Sequence, residues 1–311
     1  MRIGLIDVDS HRFPNIPLMK LSAWHKSQGD SVEWYQPLFH SVGEPFDRVY
    51  CSKVFSFTQD FQYYINSKEV IKRGSGYAIR LVDGKEIYDC SADHNLPDEI
   101  EHIYPDYSIY PSFTEDKAFG FLSRGCPRQC PFCHVSRKEK PYSYKVADLS
   151  EFWSGQRNIV LCDPNLLACP DHMDLLQQLV DSKATVEINQ GIDVRMVTEK
   201  NVELLKRIDM DKIHIAYDNP ADRKMIEPKI KMFIEQTGLN RHKGLMCFIL
   251  VNFKSTIEED LHRIQFCREM NISPFPMIYD KEHCDPIYKR MQRWCNNFIF
   301  WKVKRFEDYG G

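Results

Sequence analysis

Three cysteines stand close together in Gly125-Cys126-Pro127-Arg128-Gln129-Cys130-Pro131-Phe132-Cys133. The spacing C-x3-C-x2-C puts three thiolates in a loop short enough for them to converge on one metal centre. Thiolates are soft ligands, suited to iron–sulfur clusters or to zinc. A four-iron cluster held by three cysteines keeps one iron open, and an open iron can bind a second molecule. The competing chemistry is a structural zinc site that adds His134 to the three cysteines. Adjacent Cys133 and His134 point poorly at one ion, and structural zinc sites favour paired C-x2-C spacing. Cys162, Cys169, Cys247, Cys267, Cys284 and Cys295 form no second C-x2-C and read as free thiols. Cys162 and Cys169 flank a strand-end loop and stand apart for that reason.

The elements that must carry this loop form a regular rhythm. Strands are expected at Ala118–Ser123, Asn158–Cys162, Thr185–Asn189, Lys212–Tyr217, Leu245–Asn252 and Pro274–Tyr279. Helices are expected between them, among them His172–Lys183, Lys200–Ile208 and Thr256–Met270. Such βα units in series imply a parallel sheet that curls toward a partial (βα)6 TIM-like barrel. Functional residues in such folds lie at the C-terminal ends of strands and in the loops that follow. The cysteine loop follows the first of these strands. Asp163, Glu187, Asp193, Asp218 and Asp280 fall near the ends of later ones, a set that suits a small, polar, cationic substrate.

Ahead of this rhythm, strands at Arg2–Val8, Ser31–Tyr35 and Arg48–Phe55 and a helix from about Ile16 to Lys26, stopped by Gly29, suggest a small Rossmann-like α/β layer. The expected division is a layer over 1–90, a connector over 91–117, a barrel over 118–285 and a closing segment over 286–311. Residues 56–90 are ambiguous. The closing segment mixes Arg290, Arg293, Lys302, Lys304 and Arg305 with Trp294, Asn296, Asn297, Phe298 and Trp301. It reads as an amphipathic element with solvated charges.

Composition narrows the function. The chain has 311 residues, with 41 Lys+Arg against 44 Asp+Glu and a formal net charge of −3. That balance argues against coating duplex nucleic acid, which calls for a basic surplus. The longest strongly apolar run, Leu245–Val251, is too short to span a bilayer. The N-terminus meets Asp7, Asp9 and His11 too soon for a signal peptide. A cytoplasmic protein with reduced cysteines is expected.

The cysteine motif, the aromatic Phe132 before its third cysteine and the six βα units resemble the radical S-adenosylmethionine (radical SAM) superfamily, over roughly the last two-thirds of the chain. The resemblance implies a 4Fe-4S cluster on Cys126, Cys130 and Cys133, shielded by Phe132. It implies S-adenosylmethionine on the open iron, and an electron donor such as flavodoxin or ferredoxin. The cofactor or its substrate is then expected to meet Asp163, Gln190, Arg195, Asp218, Asn252 and Met277. Asp193, Tyr279, Asp280 and His11 are further substrate or catalytic candidates. Leu161-Cys162-Asp163-Pro164-Asn165 lacks the glycines of the stretch that receives the methionine amino group in many members. Arg195 is expected to pair with the methionine carboxylate.

The first layer resembles a cobalamin-binding-type domain. Asp9-Ser10-His11-Arg12-Phe13-Pro14 has Pro where that domain has Gly, so a packing remnant is expected rather than a cobalamin site. Among compact members, size and layout are similar to those of queuine lyases, which would imply C–N bond cleavage in a queuine-like base. Rival expectations are a radical SAM enzyme acting on RNA or a peptide, and a non-catalytic zinc-binding module.

Overall fold

The computed structural model describes residues 1–10, 13–82, 85–89, 96–296 and 298–310. His11, Cys90 and Asn297 lie outside the described residues. The chain divides into two compact units. One comprises Met1–Gly120, Cys130–Glu139 and Leu149–Gln156; the other comprises Phe121–Gln129, Lys140–Asp148 and Arg157–Gly311. The connector region falls in the first unit and the closing segment in the second.

The first unit is built on β1 (Arg2–Asp7), β2 (Ser31–Trp34), β3 (Arg48–Ser52) and β4 (Val70–Arg73). They form a parallel sheet of order β2-β1-β3-β4. Its central strand β1 is buried on both faces. Ile3 and Leu5 join Leu18 and Leu21, while Ile6 joins Phe46, Val49 and Cys51. The helix Ile16–Ser27 supplies Leu18 and Leu21. Asn15 caps it by accepting from Leu18 N at 3.2 Å, and Gly29, at φ +81°, follows its end as expected. The ambiguous stretch resolves into β4 and an antiparallel pair, β5 (Ile79–Val82) with β6 (Lys85–Tyr88). A crossover without a helix leads into β4, so no helical period marks it. The connector holds short turns, including Asp98–Glu101 and Pro111–Thr114, before β7 (Lys117–Gly120).

In the second unit, β8 (Ser123–Arg124) and β9 (Tyr144–Lys145) form a small antiparallel pair. Then come β10 (Asn158–Leu161), β11 (Thr185–Ile192), β12 (Asp209–Ala216), β13 (Leu245–Val251) and β14 (Ser273–Ile278). The large parallel sheet runs β14-β13-β12-β11-β10-β7. Each strand overlaps its expected range. The expected first strand, Ala118–Ser123, is split: β7 ends at Gly120, and Ser123 turns away into the β8–β9 pair. β11 runs on to Ile192 through a register shift against β12. Gly191 makes that possible. Its φ is +86°, and a Cβ there would lie 2.7 Å from His214 O.

The two faces of this sheet differ. Ile159, Leu161, Val186, Ile188, Ile213, Ile215, Cys247 and Ile249 are at most 2% exposed. Helices cover that face; Ile257–Glu269, for one, packs on β13 and β14. The alternate residues, including Glu187, Asn189, His214, Phe248, Phe275 and Met277, are only half-buried. A parallel strand buried on both faces would be apolar throughout. These strands are apolar on one face and mixed on the other.

Candidate metal centre and adjoining sheet face

The cysteine loop begins where Ser123 and Arg124 pair with Lys145 and Tyr144. Gly125 makes the turn into it at φ +80°, where a Cβ would come within 2.1 Å of Tyr142 O. Only glycine fits there. Cys126 N then donates to Lys140 O at 3.2 Å. Cys126 Sγ accepts from Arg128 N at 3.4 Å and from Asn165 Nδ2 at 3.6 Å.

Cys130 and Cys133 are assigned to the other unit. Cys133 N donates to Cys130 O at 3.0 Å, and Ser136 Oγ donates to the carbonyls of Cys130 and Cys133 at 3.3 and 2.8 Å. The turn leads into the short helix Val135–Lys138. Phe132, beside Cys133, is half-buried. Among the described residues, no three His, Cys, Asp or Glu side chains form a group that could hold a metal ion.

Asp193 organises the ground beside Cys126. Its side chain is 8% exposed. Arg195 grips it with Nε on Oδ1 at 2.6 Å and Nη2 on Oδ2 at 3.2 Å. Arg128 Nε and Asn165 Nδ2 each donate to Oδ2 at 3.1 Å. Burial pushes the Asp193 carboxyl up, but Arg195 and Arg128 outweigh it and hold it below the usual carboxylate range. The two-pronged Arg195 contact expected for an external carboxylate is thus made inside the chain. Arg195 also stands 3.5 Å from Asp222.

Asp163 is fully buried. Its carboxylate accepts from Leu122 N at 3.1 Å, Ser123 N at 2.5 Å and Ser123 Oγ at 2.7 Å. Burial still wins over these bonds and raises its pKa to about 6. The carboxylate therefore fastens the backbone that leads into the cysteine loop. Two residues on, Asn165 is 4% exposed, and its Oδ1 has no hydrogen-bond partner among the described residues.

Further along, Asp218 accepts from Leu250 N at 2.9 Å, and burial raises its pKa. Asn252 sits at φ +63° and donates Nδ2 to Tyr279 O at 3.1 Å. Tyr279 is 45% exposed, with its ring 4.6 Å from that of Phe253. Asp280 lies in solvent and pairs with His283 at 2.8 Å, which lowers its pKa. Gln190 is exposed, and Met277 is half-buried on the mixed sheet face. Asp193 and Asp163 are thus close to Cys126 or to the start of its loop, while Tyr279 and Asp280 gather at the end of β14.

Four residues that sequence reasoning passed over matter here. Asn165 and Arg128 lie inside stretches read for other members, but nothing in an Asn or Arg alone marks its partner. His214 lies mid-strand on the mixed face. Arg263 is fully buried and pairs with Asp260, also fully buried. It donates to the carbonyls of Tyr217, Asp218 and Leu250 at 2.7, 2.6 and 3.0 Å. Asp260 in turn accepts from Asn252 N at 3.1 Å. The pair ties together the ends of β12 and β13. The only sequence signal was a charge pair three residues apart on one helix.

Comparison with protein-family models gives no match, and comparison with curated proteins gives none either. Among the described residues, no helix is long and apolar enough to cross a membrane.

Proposed function

We propose that this chain is a radical SAM enzyme whose larger sheet is the wall of a partial (βα)6 barrel. The observation that carries the reading is the C-x3-C-x2-C loop set between the first strands of a parallel sheet, with Cys126 Sγ already receiving two N–H donors. The donor types suit the group, though the described side chains are not gathered into one metal-binding group: three thiols for a 4Fe-4S cluster, and beside Cys126 an orphaned acceptor, Asn165 Oδ1.

Cys126, Cys130 and Cys133 would hold the cluster. Asn165 Oδ1 would accept from the methionine amino group of S-adenosylmethionine. Loaded this way, the site supplies one-electron reductive cleavage of the sulfonium and a carbon radical that abstracts hydrogen from a substrate. The chain's own residues set the stage. Asp163 fixes the loop entry, Asp193 holds Arg128 and Arg195, and Arg263 fixes the strand ends that bear Asp218 and Asn252. Phe248, Phe275 and Glu187 on the mixed face suit a flat base bearing an amine, which favours a queuine-like substrate and a lyase reaction. A flavodoxin or ferredoxin would supply the electron. The described cysteines are all free thiols, in keeping with a reducing, cytoplasmic setting.

The test is anaerobic. Reconstituted protein receives S-adenosylmethionine, a strong reductant and queuine, and 5′-deoxyadenosine is quantified by mass spectrometry. The reading expects release stimulated by queuine, with an aminomethyl-deazaguanine product. Release without stimulation keeps the radical chemistry and rejects queuine. No release from protein that holds zinc and no iron returns the loop to a structural role.

A further inference from the structure

The mixed face of the large sheet carries a second orphan. His214 Nδ1 is buried and has no hydrogen-bond partner among the described residues. A buried nitrogen without its hydrogen bond is costly to the fold, and such groups call for a ligand that supplies the missing partner. The residues around it are not those of a packed core. The His214 ring lies 4.8 Å from that of Phe248 at an interplanar angle of 31°, and Phe248 meets Phe275 edge-on at 5.6 Å. Register places Ala216, Phe248 and Phe275 in one row across β12, β13 and β14, with His214 and Met246 in the row before. Glu187 shares the face from β11. Its side chain is 20% exposed and pairs with Lys212 Nζ at 3.6 Å. An apolar aromatic floor, an unsatisfied ring nitrogen and a carboxylate thus share one half-open surface.

We propose that His214 and Glu187 are the specificity-determining residues of a site for a planar nitrogen heterocycle that bears a basic amine. His214 Nδ1 accepts from a ring N–H, Phe248 and Phe275 lie against the ring, and Glu187 receives the ammonium. Taking this ligand as the substrate rests on the radical SAM reading; the binding itself does not. A neutral hydrocarbon would leave His214 Nδ1 unpaired and give Glu187 no partner beyond Lys212, and an anion would meet Glu187.

Calorimetry on the full chain, prepared without iron, separates the two questions. The probes are queuine, which has the amine, and guanine, which lacks it. Wild-type protein is expected to bind queuine at least about tenfold more tightly than guanine. His214→Ala should weaken queuine by about tenfold or more. His214→Asn should restore most of that loss, because an Asn oxygen can stand near the Nδ1 position. Glu187→Gln should erase the preference for queuine while guanine binding holds. Circular dichroism confirms that each variant folds. Equal queuine binding by wild type and His214→Ala overturns the proposal, as does a failure of the wild type to bind either base. If that failure accompanies release of 5′-deoxyadenosine, the radical SAM reading stands alone. If binding follows the expected pattern and no 5′-deoxyadenosine forms from iron-loaded protein, the ligand site stands and the radical reading falls.

Discussion

Asp163 and Asn165 are two residues apart and do opposite things. Asp163 spends its carboxylate on Leu122 and Ser123, at the cost of burying a charge. Because its folded pKa is raised to about 6 from 3.8, the folded state binds the proton more tightly than the unfolded chain. Its contribution is therefore most favourable below the unfolded value and is lost as pH rises from about 4 to about 6. In denaturant titrations, wild-type stability measured against Asp163→Asn should fall by about 2–3 kcal/mol from pH 4 to pH 7. A difference that stays flat with pH would show that the carboxylate is not the group titrating. Asn165 acts through its amide. Asn165→Ala removes the donor on Cys126 Sγ, and loss of such a bond should make the cluster harder to reduce. A redox titration should show a more negative potential and weaker S-adenosylmethionine binding, with iron content unchanged. The sequence exposed the cysteines by their spacing. It concealed Asn165, Arg128 and His214, because an uncharged or singly charged polar residue acquires its role only from what the fold sets beside it.

At the scale of elements, the periodic segments were legible and the aperiodic ones were not. Strands β10 to β14 were expected close to where they stand, because each carries a run of buried apolar residues at alternate positions. The helix Arg223–Thr237 was harder to see because Pro228 lies inside it. β4 and the β5–β6 pair are only four residues long each, too short to show a period. The entrance to the cysteine loop rests on one glycine. Gly125→Ala should cost about 1–3 kcal/mol in stability, from a disfavoured backbone and a clash with Tyr142 O, and should lower iron retention. Thermal melts and iron assays on the same samples read both. Behind the sheet edge, Arg263→Met leaves Asp260 as a buried, uncompensated charge. A loss of about 3–5 kcal/mol in urea unfolding is expected. Adding Asp260→Asn should return part of it, and a single variant as stable as wild type would show that the pair does not carry the strand ends.

At the scale of the whole molecule, the net charge of −3 lacks the basic surplus of a nucleic-acid coat, and the chain divides into two units. The expected α/β class is what the chain adopts, and the six-stranded parallel sheet is its largest part. The chain passes between its units several times around the cysteine motif, assigning Cys126 to one and Cys130 and Cys133 to the other. That interleaving could not be read from hydrophobic period, which reports local burial and not which unit a loop joins. The radical SAM reading requires all three cysteines of the motif. The most direct measurement is therefore the metal content of full-length protein after anaerobic reconstitution, for wild type and for Cys126→Ala, Cys130→Ala and Cys133→Ala. Iron and sulfide near four of each per wild-type chain, and a sharp loss in every variant, are what a three-cysteine iron–sulfur centre predicts. Zinc in place of iron, or iron retained equally by all three variants, would contradict it.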